Sequence, residues 1–180
     1  MTWRLSHRAD AEALPVADRH YNRQKPGTPQ FVPPGRCFVL KAGEPVDALW
    51  VSSWPFAEYV KHEWAGAWVN SCFRKEGDGL ASDLIRQAVA ATRFNWRDVP
   101  ALGMVTFIDP AKVKPRMVRG RPTWGHSYLA AGFKHVGYTK AGLWAFQMEP
   151  KDMPDAAPAC GVQFPIAALR RQDAGEGTHP

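Results

Sequence analysis

The stretch Ala67-Trp68-Val69-Asn70-Ser71-Cys72-Phe73-Arg74-Lys75-Glu76-Gly77-Asp78-Gly79-Leu80 decides the fold. Its first seven residues read as a strand, and Arg74 to Gly79 as a charged turn with two glycines. From Leu80 to about Phe94, Leu84, Ile85, Ala88, Val89 and Thr92 fall near helical spacing, so one helix face covers a sheet. A glycine turn that opens a helix leaves backbone amides without acceptors and faces the positive end of the helix dipole. Such a turn suits a pyrophosphate. On its own residues it reads equally well as a charged turn closed by glycine.

Moving towards the N-terminus, Cys37–Leu40 and Ala48–Ser52 read as strands of an antiparallel hairpin turning at Ala42-Gly43-Glu44-Pro45. Residues 22–35 hold Pro26, Gly27, Pro29, Pro33, Pro34 and Gly35 and can be neither a regular helix nor a central strand. Asp10 to Tyr21 reads as a helix with Pro15 in its first turn. Moving the other way, Leu102–Ile108 is a near-continuous apolar run, the pattern of a buried central strand. A basic loop follows, then a short helix from Gly125 to Ala131 stopped by Gly132, then strands over Lys134–Tyr138 and Leu143–Met148. The predicted fold class is α/β, with a mixed, mostly antiparallel central sheet flanked by helices in three layers. Residues 1–150 form the domain. Residues 151–180 form an extension in which Val162–Leu169 is expected to dock as a strand or short helix and the rest to fray.

The 180 residues allow one ordinary domain, and 45% hydrophobic with 22% charged residues excludes wholesale disorder. No apolar run approaches the length of a membrane span, and the first residues carry no apolar signal core, so a cytoplasmic protein is expected. Cys37, Cys72 and Cys160 are odd in number and widely spaced, which predicts small buried hydrophobes rather than disulfides or a zinc site. The eight tryptophans are expected mainly in the core. The net charge of +6 favours polyanions, phosphorylated cofactors and nucleic acid among them. Lys112, Lys114, Arg116, Arg119 and Arg121 put five cations in ten residues with no acid between them. They are candidates for phosphate contacts, and nearby Trp124 for stacking on a base; solvated loop charge and packing are the plainer readings.

Two elements resemble the GNAT acetyltransferases. Arg74, Gly77 and Gly79 have the spacing of that superfamily's acyl-CoA loop, although Ser82 stands where a leucine is usual. Tyr128-Leu-Ala-Ala-Gly132-Phe133-Lys-His-Val-Gly137 matches its YxxxGFxxxG element. Within the superfamily, His20-Tyr21, the Met104–Pro110 segment with Asp109, and Trp124–Phe133 followed by Val136-Gly137-Tyr138 resemble the Mom-like DNA modification proteins of phage Mu type. The resemblance runs from residue 20 to about 148, with His126 and Ser127 and the long basic insert as departures.

The resemblance implies a GNAT-fold acyltransferase using acetyl-CoA or another acyl-CoA, with Arg74, Gly77, Gly79 and Ser82 on the cofactor. Ser82 could instead start the helix as its N-cap. Tyr128 would be the acid that protonates the departing thiolate, while Asp109, His20 and Tyr21 complete the catalytic set. Transfer of an acetyl-derived or acyl group to an amine of a DNA base or nucleotide is the leading expectation. The family's unusual cofactor needs extend to iron. An N-acetyltransferase for a small-molecule or protein amine and a non-catalytic CoA- or nucleic-acid-binding module are the alternatives. Asp109, His20, His126, Tyr21, Tyr128 and Tyr138 are the titratable groups expected to converge, while His62 is assigned to its own aromatic stretch.

Overall fold

The computed structural model describes residues 2–160, so the expectation for Val162–Leu169 lies outside the described residues. Nine strands and three α-helices follow in the order β1 (Arg4–Ser6), α1 (Leu14–Asp18), β2 (Cys37–Ala42), β3 (Ala48–Ser53), β4 (Trp68–Lys75), α2 (Ala81–Asn95), β5 (Met104–Ile108), β6 (Arg116–Val118), β7 (Arg121–Thr123), α3 (His126–Ala131), β8 (Lys134–Tyr138) and β9 (Trp144–Met148). Seven strands form one sheet in the order β1-β2-β3-β4-β5-β9-β8, and β6 and β7 form a separate two-stranded ribbon. Every neighbouring pair in the large sheet is antiparallel except β4 and β5.

Hydrophobic alternation explains the layers. Leu40, Trp50, Trp68, Met104, Phe146 and Met148 point to one face, where they bury against Leu84, Ile85, Ala88 and Val89 of α2 and Ala131 of α3. Val39, Leu49 and Val51 point to the other face and are covered by Val16 and Ala17 of α1 and by Val32 of the proline-rich segment. This second cover is thin. The helix expected over Asp10 to Tyr21 is reduced to Leu14–Asp18, with turns on both sides. Asp10 draws the preceding chain into a turn: its Oδ1 accepts from the Glu12 amide at 3.0 Å and its Oδ2 from Ser6 Oγ at 2.7 Å, while Lys41 Nζ lies 2.7 Å from Oδ2.

Five tryptophans, Trp3, Trp50, Trp64, Trp68 and Trp96, are buried. Trp3 Nε1 donates to Leu84 O at 2.8 Å, fastening the short edge strand β1, which sequence reasoning missed, to α2. The ribbon was also missed, because three-residue strands in a basic segment carry no apolar alternation. Cys37 and Cys72 are half-buried, but Cys160 is exposed, which corrects the expectation that all three pack inside. Past residue 150 the chain stays attached: Ala157 N donates to Ala90 O at 3.2 Å, and Arg93 Nη1 donates to Pro154 O at 2.6 Å.

Two features position the site. The pairing of β4 with β5 covers only Trp68–Asn70 against Met104–Thr106; beyond it β4 continues along β3, and β5 along β9. The two parallel strands therefore part at Asn70 and Thr106. At the same place β4 carries a bulge. Val51 pairs with Cys72 and Ser52 with Asn70, leaving Ser71 as the extra residue. The bulge changes the alternation, so Phe73 returns to the face of Trp68 and Asn70, while Cys72 and Arg74 look towards α1.

Gly125, just before α3, has φ +64°, and a Cβ there would stand 2.5 Å from Cζ of buried Phe146. Gly125→Ala therefore combines backbone strain with overpacking, which costs about 1–3 kcal/mol. At about 2–4 °C per kcal/mol for a domain of this size, thermal denaturation should show a midpoint several degrees lower.

Candidate active site

The parting strands enclose a cleft of about 120 Å³ lined by His20, Tyr21, Asn70, Cys72, Thr106 and Tyr128, among others. Asn70 organises it. Its Nδ2 donates to Val51 O at 3.0 Å and to Cys72 O at 2.9 Å, spanning the bulge. Its Oδ1 accepts from Tyr128 Oη at 2.5 Å and from Thr106 Oγ1 at 3.3 Å. The carboxamide thus ties α3, β3, β4 and β5 together where the sheet opens. Sequence reasoning did not single out Asn70; a carboxamide flanked by Trp68, Val69, Cys72 and Phe73 in a strand was the available signal.

Tyr128 is buried, its ring edge-on to Phe73 and Phe133 at centroid distances of 6.1 and 5.3 Å. Burial raises the phenol far above its ordinary pKa. Tyr21 enters from the opposite wall and donates from Oη to Phe107 O at 3.3 Å; burial raises its pKa as well. His20 packs on Tyr21 at 4.6 Å, and burial followed by the nearby Arg74 charge lowers its imidazole to about 4. Burial pushes the Cys72 thiol up to about 12. At neutral pH the cleft consequently holds two phenols, an imidazole and a thiol, all uncharged.

Of the six titratable residues expected together, His20, Tyr21 and Tyr128 line this cleft. Asp109 sits just past the end of β5, where Oδ1 accepts from Ala111 N at 3.0 Å and Oδ2 lies 3.7 Å from Lys112 Nζ, so it closes its own turn. Its charge reaches Tyr21 and helps hold that phenol protonated. Tyr138 does not converge: it lies exposed on the edge strand β8. His126 opens α3 outside the lining. His62 packs against Phe107 and Trp64, within its aromatic stretch. Trp124 is half-buried, donates Nε1 to Val113 O at 3.1 Å and packs on Trp144 at 5.2 Å.

The glycine turn sits at the end of β4 and leads into α2, on the sheet face that carries Tyr128. Among the described residues, the backbone amides of Gly77 through Asp83 find no protein acceptor. Gly79 has φ +91°, with open space where a Cβ would stand. Lys75 Nζ donates to Gly77 O and shapes the turn. Leu80 occupies the N-cap position and the helix starts at Ala81, so Ser82 lies in the first turn and is not the N-cap. The donor set fits a pyrophosphate: a run of free amides at a helix start, with no side chain over Gly79. Iron is not accommodated in the same way. Among the described residues no three His, Cys, Asp or Glu side chains gather to hold a metal ion.

Arg74 faces the other side of the sheet. Its Nη1 donates to Arg19 O at 2.5 Å and its Nε to Glu76 Oε1 at 2.5 Å, while Arg19 Nε donates to the same carboxylate oxygen at 2.8 Å and Nη2 to Oε2 at 2.5 Å. Glu76 thereby joins the turn to the chain immediately before His20 and Tyr21, and Arg19, then Arg74, hold its carboxyl at about 2. A folded pKa below the ordinary 4.5 means this contribution to stability is complete above pH 4.5 and is lost as the pH falls towards 2. Thermal denaturation of Glu76→Gln beside the parent should show a gap in midpoint at pH 7 that closes between pH 4.5 and 2.5; a gap constant over that range would disprove the latch.

No family model matches the chain, and no curated protein matches it. Solved structures do. The aminoglycoside acetyltransferase AAC(6')-Ib, in complex with coenzyme A and kanamycin, superposes with a TM-score of 0.57 at 17% identity, over 84% of this chain and 95% of that one. The aminoglycoside N-acetyltransferase AAC(6')-Ib11 gives 0.52 at 16% identity, over 84% and 97%. No helix among the described residues is long and apolar enough to cross a membrane. At these identities the likeness is one of fold alone: a mixed, mostly antiparallel α/β architecture of GNAT-like type.

Proposed function

We propose that the protein is an acyl-CoA-dependent N-acyltransferase acting on a small-molecule amine. The observation that supports the reading is that two segments about fifty residues apart share one face of the sheet: the unpaired amides of Gly77–Asp83, just past β4, and the phenol of Tyr128, bonded to Asn70 within β4. The solved structures of like fold acetylate aminoglycosides, and one holds coenzyme A, which supports both the cofactor and the acceptor class.

The amides of the turn, with Gly79 open to the backbone, would hold the cofactor's diphosphate; Arg74 acts at a distance by fixing the turn through Glu76. Acetyl-CoA or another acyl-CoA supplies the activated thioester when bound. Tyr128 keeps its proton at Oη and offers it from the position now given to Asn70. His20, neutral above about pH 4, can take the proton that an amine loses on acylation, and Tyr21 limits how its ring turns. Asp109 positions the wall opposite Tyr128 through the turn it closes.

A second acceptor class has its own support. Among the described residues, neither the cleft nor the hollow of about 560 Å³ beside it under residues 22–34 has Asp or Glu in its lining, whereas Lys25 and Arg23, the latter paired with Asp18, lie in the hollow's wall. A polycationic amine gains nothing from such walls; a neutral amine on an anionic molecule does. This supports an exocyclic amine of a nucleotide or DNA base, as in the Mom-like proteins. Such an amine is already neutral but poorly nucleophilic, so orientation matters more than deprotonation.

Isothermal calorimetry with acetyl-CoA tests the cofactor: Gly77→Asp should abolish binding by placing a carboxylate where phosphate approaches, and unchanged affinity would remove the assignment. Tyr128→Phe should retain acetyl-CoA binding and lose about 10²–10⁴-fold in kcat, the usual worth of a positioned proton donor. Its parent and variant, assayed against a panel of polyamines and aminoglycosides and by mass spectrometry of nucleosides from expressing cells, identify the acceptor. Equal, measurable turnover by parent and variant would remove Tyr128 as the acid, and no turnover of any acceptor by the parent would leave only a binding module.

A further inference from the structure

The β6–β7 ribbon and the aromatic edge of the sheet beside it are unused by acyl transfer. Arg119 and Gly120, at φ +48° and +75°, form the tight turn of the ribbon, the pairing of positive values that suits a two-residue hairpin. Arg116 pairs with Thr123 and Val118 with Arg121, so the two arginines share one ribbon face, with Arg119 at the tip. Among the described residues, Lys114, Arg116, Arg119 and Arg121 have neither a carboxylate partner nor a side-chain hydrogen bond. Nothing in the packing of the domain accounts for these charges.

The ribbon leads directly into Trp124, and from there aromatic rings continue along the outer two strands. Trp124 lies 5.2 Å from Trp144, and Trp144 lies 5.4 Å from Tyr138 and 4.8 Å from His135. A bulge between His135 and Gly137 keeps His135 and Tyr138 on one face. Tyr138 is 57% exposed and His135 is exposed, while Trp124 and Trp144 are half-buried behind them. Lys140 follows Tyr138 in the β8–β9 turn, so cations flank the aromatic row at both ends.

We infer that this surface is a binding track for single-stranded nucleic acid: the ribbon arginines and Lys140 contact phosphates, and Tyr138 with His135 stacks on bases. Charge alone would suit any polyanion. The row of partly exposed rings between the cations selects unpaired bases, whose faces are free to stack, over a duplex, whose faces are already stacked. The inference does not rest on acyl transfer.

Fluorescence anisotropy with a labelled 12-nucleotide oligothymidylate and a 12-base-pair duplex, across a salt series from 50 mM, tests it. The parent should prefer the single strand. Removing three charges, as Arg116→Gln with Arg119→Asn and Arg121→Gln, should flatten the slope of log affinity against log salt by about 2, from about 0.7 per phosphate contact on a single strand. Tyr138→Ala should weaken oligothymidylate binding about tenfold, and Tyr138→Phe, which keeps the ring, should restore it. Each variant is checked by its melting curve and by calorimetric acetyl-CoA affinity, so loss of the track is distinct from loss of the fold or the cofactor site. Absence of oligothymidylate binding at 50 mM salt, tighter binding of the duplex, or a silent Tyr138→Ala would each overturn the proposal.

Discussion

The hydrogen bonds of the Asn70 side chain hold the structure open where it must be open. Two parallel strands that stay paired leave no room between them, and two that part leave backbone and side-chain polar groups to be satisfied in a buried place. Asn70 resolves this with both ends of one carboxamide, donating to Val51 O and Cys72 O and accepting from Tyr128 and Thr106. The bulge at Ser71 accompanies it, turning Phe73 towards Tyr128 and Cys72 and Arg74 away. Strand separation, bulge and phenol are one connected arrangement.

Electrostatics divide the molecule into a neutral interior and a cationic rim. Burial holds the phenols of Tyr21 and Tyr128, the imidazole of His20 and the thiol of Cys72 in uncharged forms. The charges next to them include the Arg19–Glu76–Arg74 cluster on the α1 side and Asp109 past β5. That cluster connects the glycine turn with Arg19, the residue before His20 and Tyr21, through short ionic contacts. The ribbon lies outside this system, and its cations face solvent.

The GNAT-like fold leaves the acceptor of the proposed reaction open. Aminoglycosides, acceptors of the solved neighbours' type, carry several ammonium groups, which carboxylates would attract; the linings of the cleft and hollow present none. One fold can carry sites with very different walls, so the walls rather than the fold bear on which acceptor would be taken.

The strands and helices that carry apolar periodicity were legible from residue order alone: the β2–β3 hairpin, β4, α2, β5, α3 with its Gly132 stop, and the last two strands. So were the turn at Gly77–Gly79 and the Tyr128 element, because glycine requirements and helix starts are local. The N-terminal helix was over-read, since a five-residue helix beside a proline-rich segment has its length set by what it packs on. β1 and the ribbon escaped because three-residue strands are defined by their partners. Asn70 was unremarkable in the sequence, as a carboxamide acquires meaning only from the four groups that meet it. Residue order determined which segments could be strands, helices and glycine turns, since these depend on neighbours along the chain. Only the tertiary structure decided that Arg74 turns to Glu76, that Tyr138 lies apart from the cleft and that Tyr128 meets Asn70, because strand register and bulges set which face each side chain occupies.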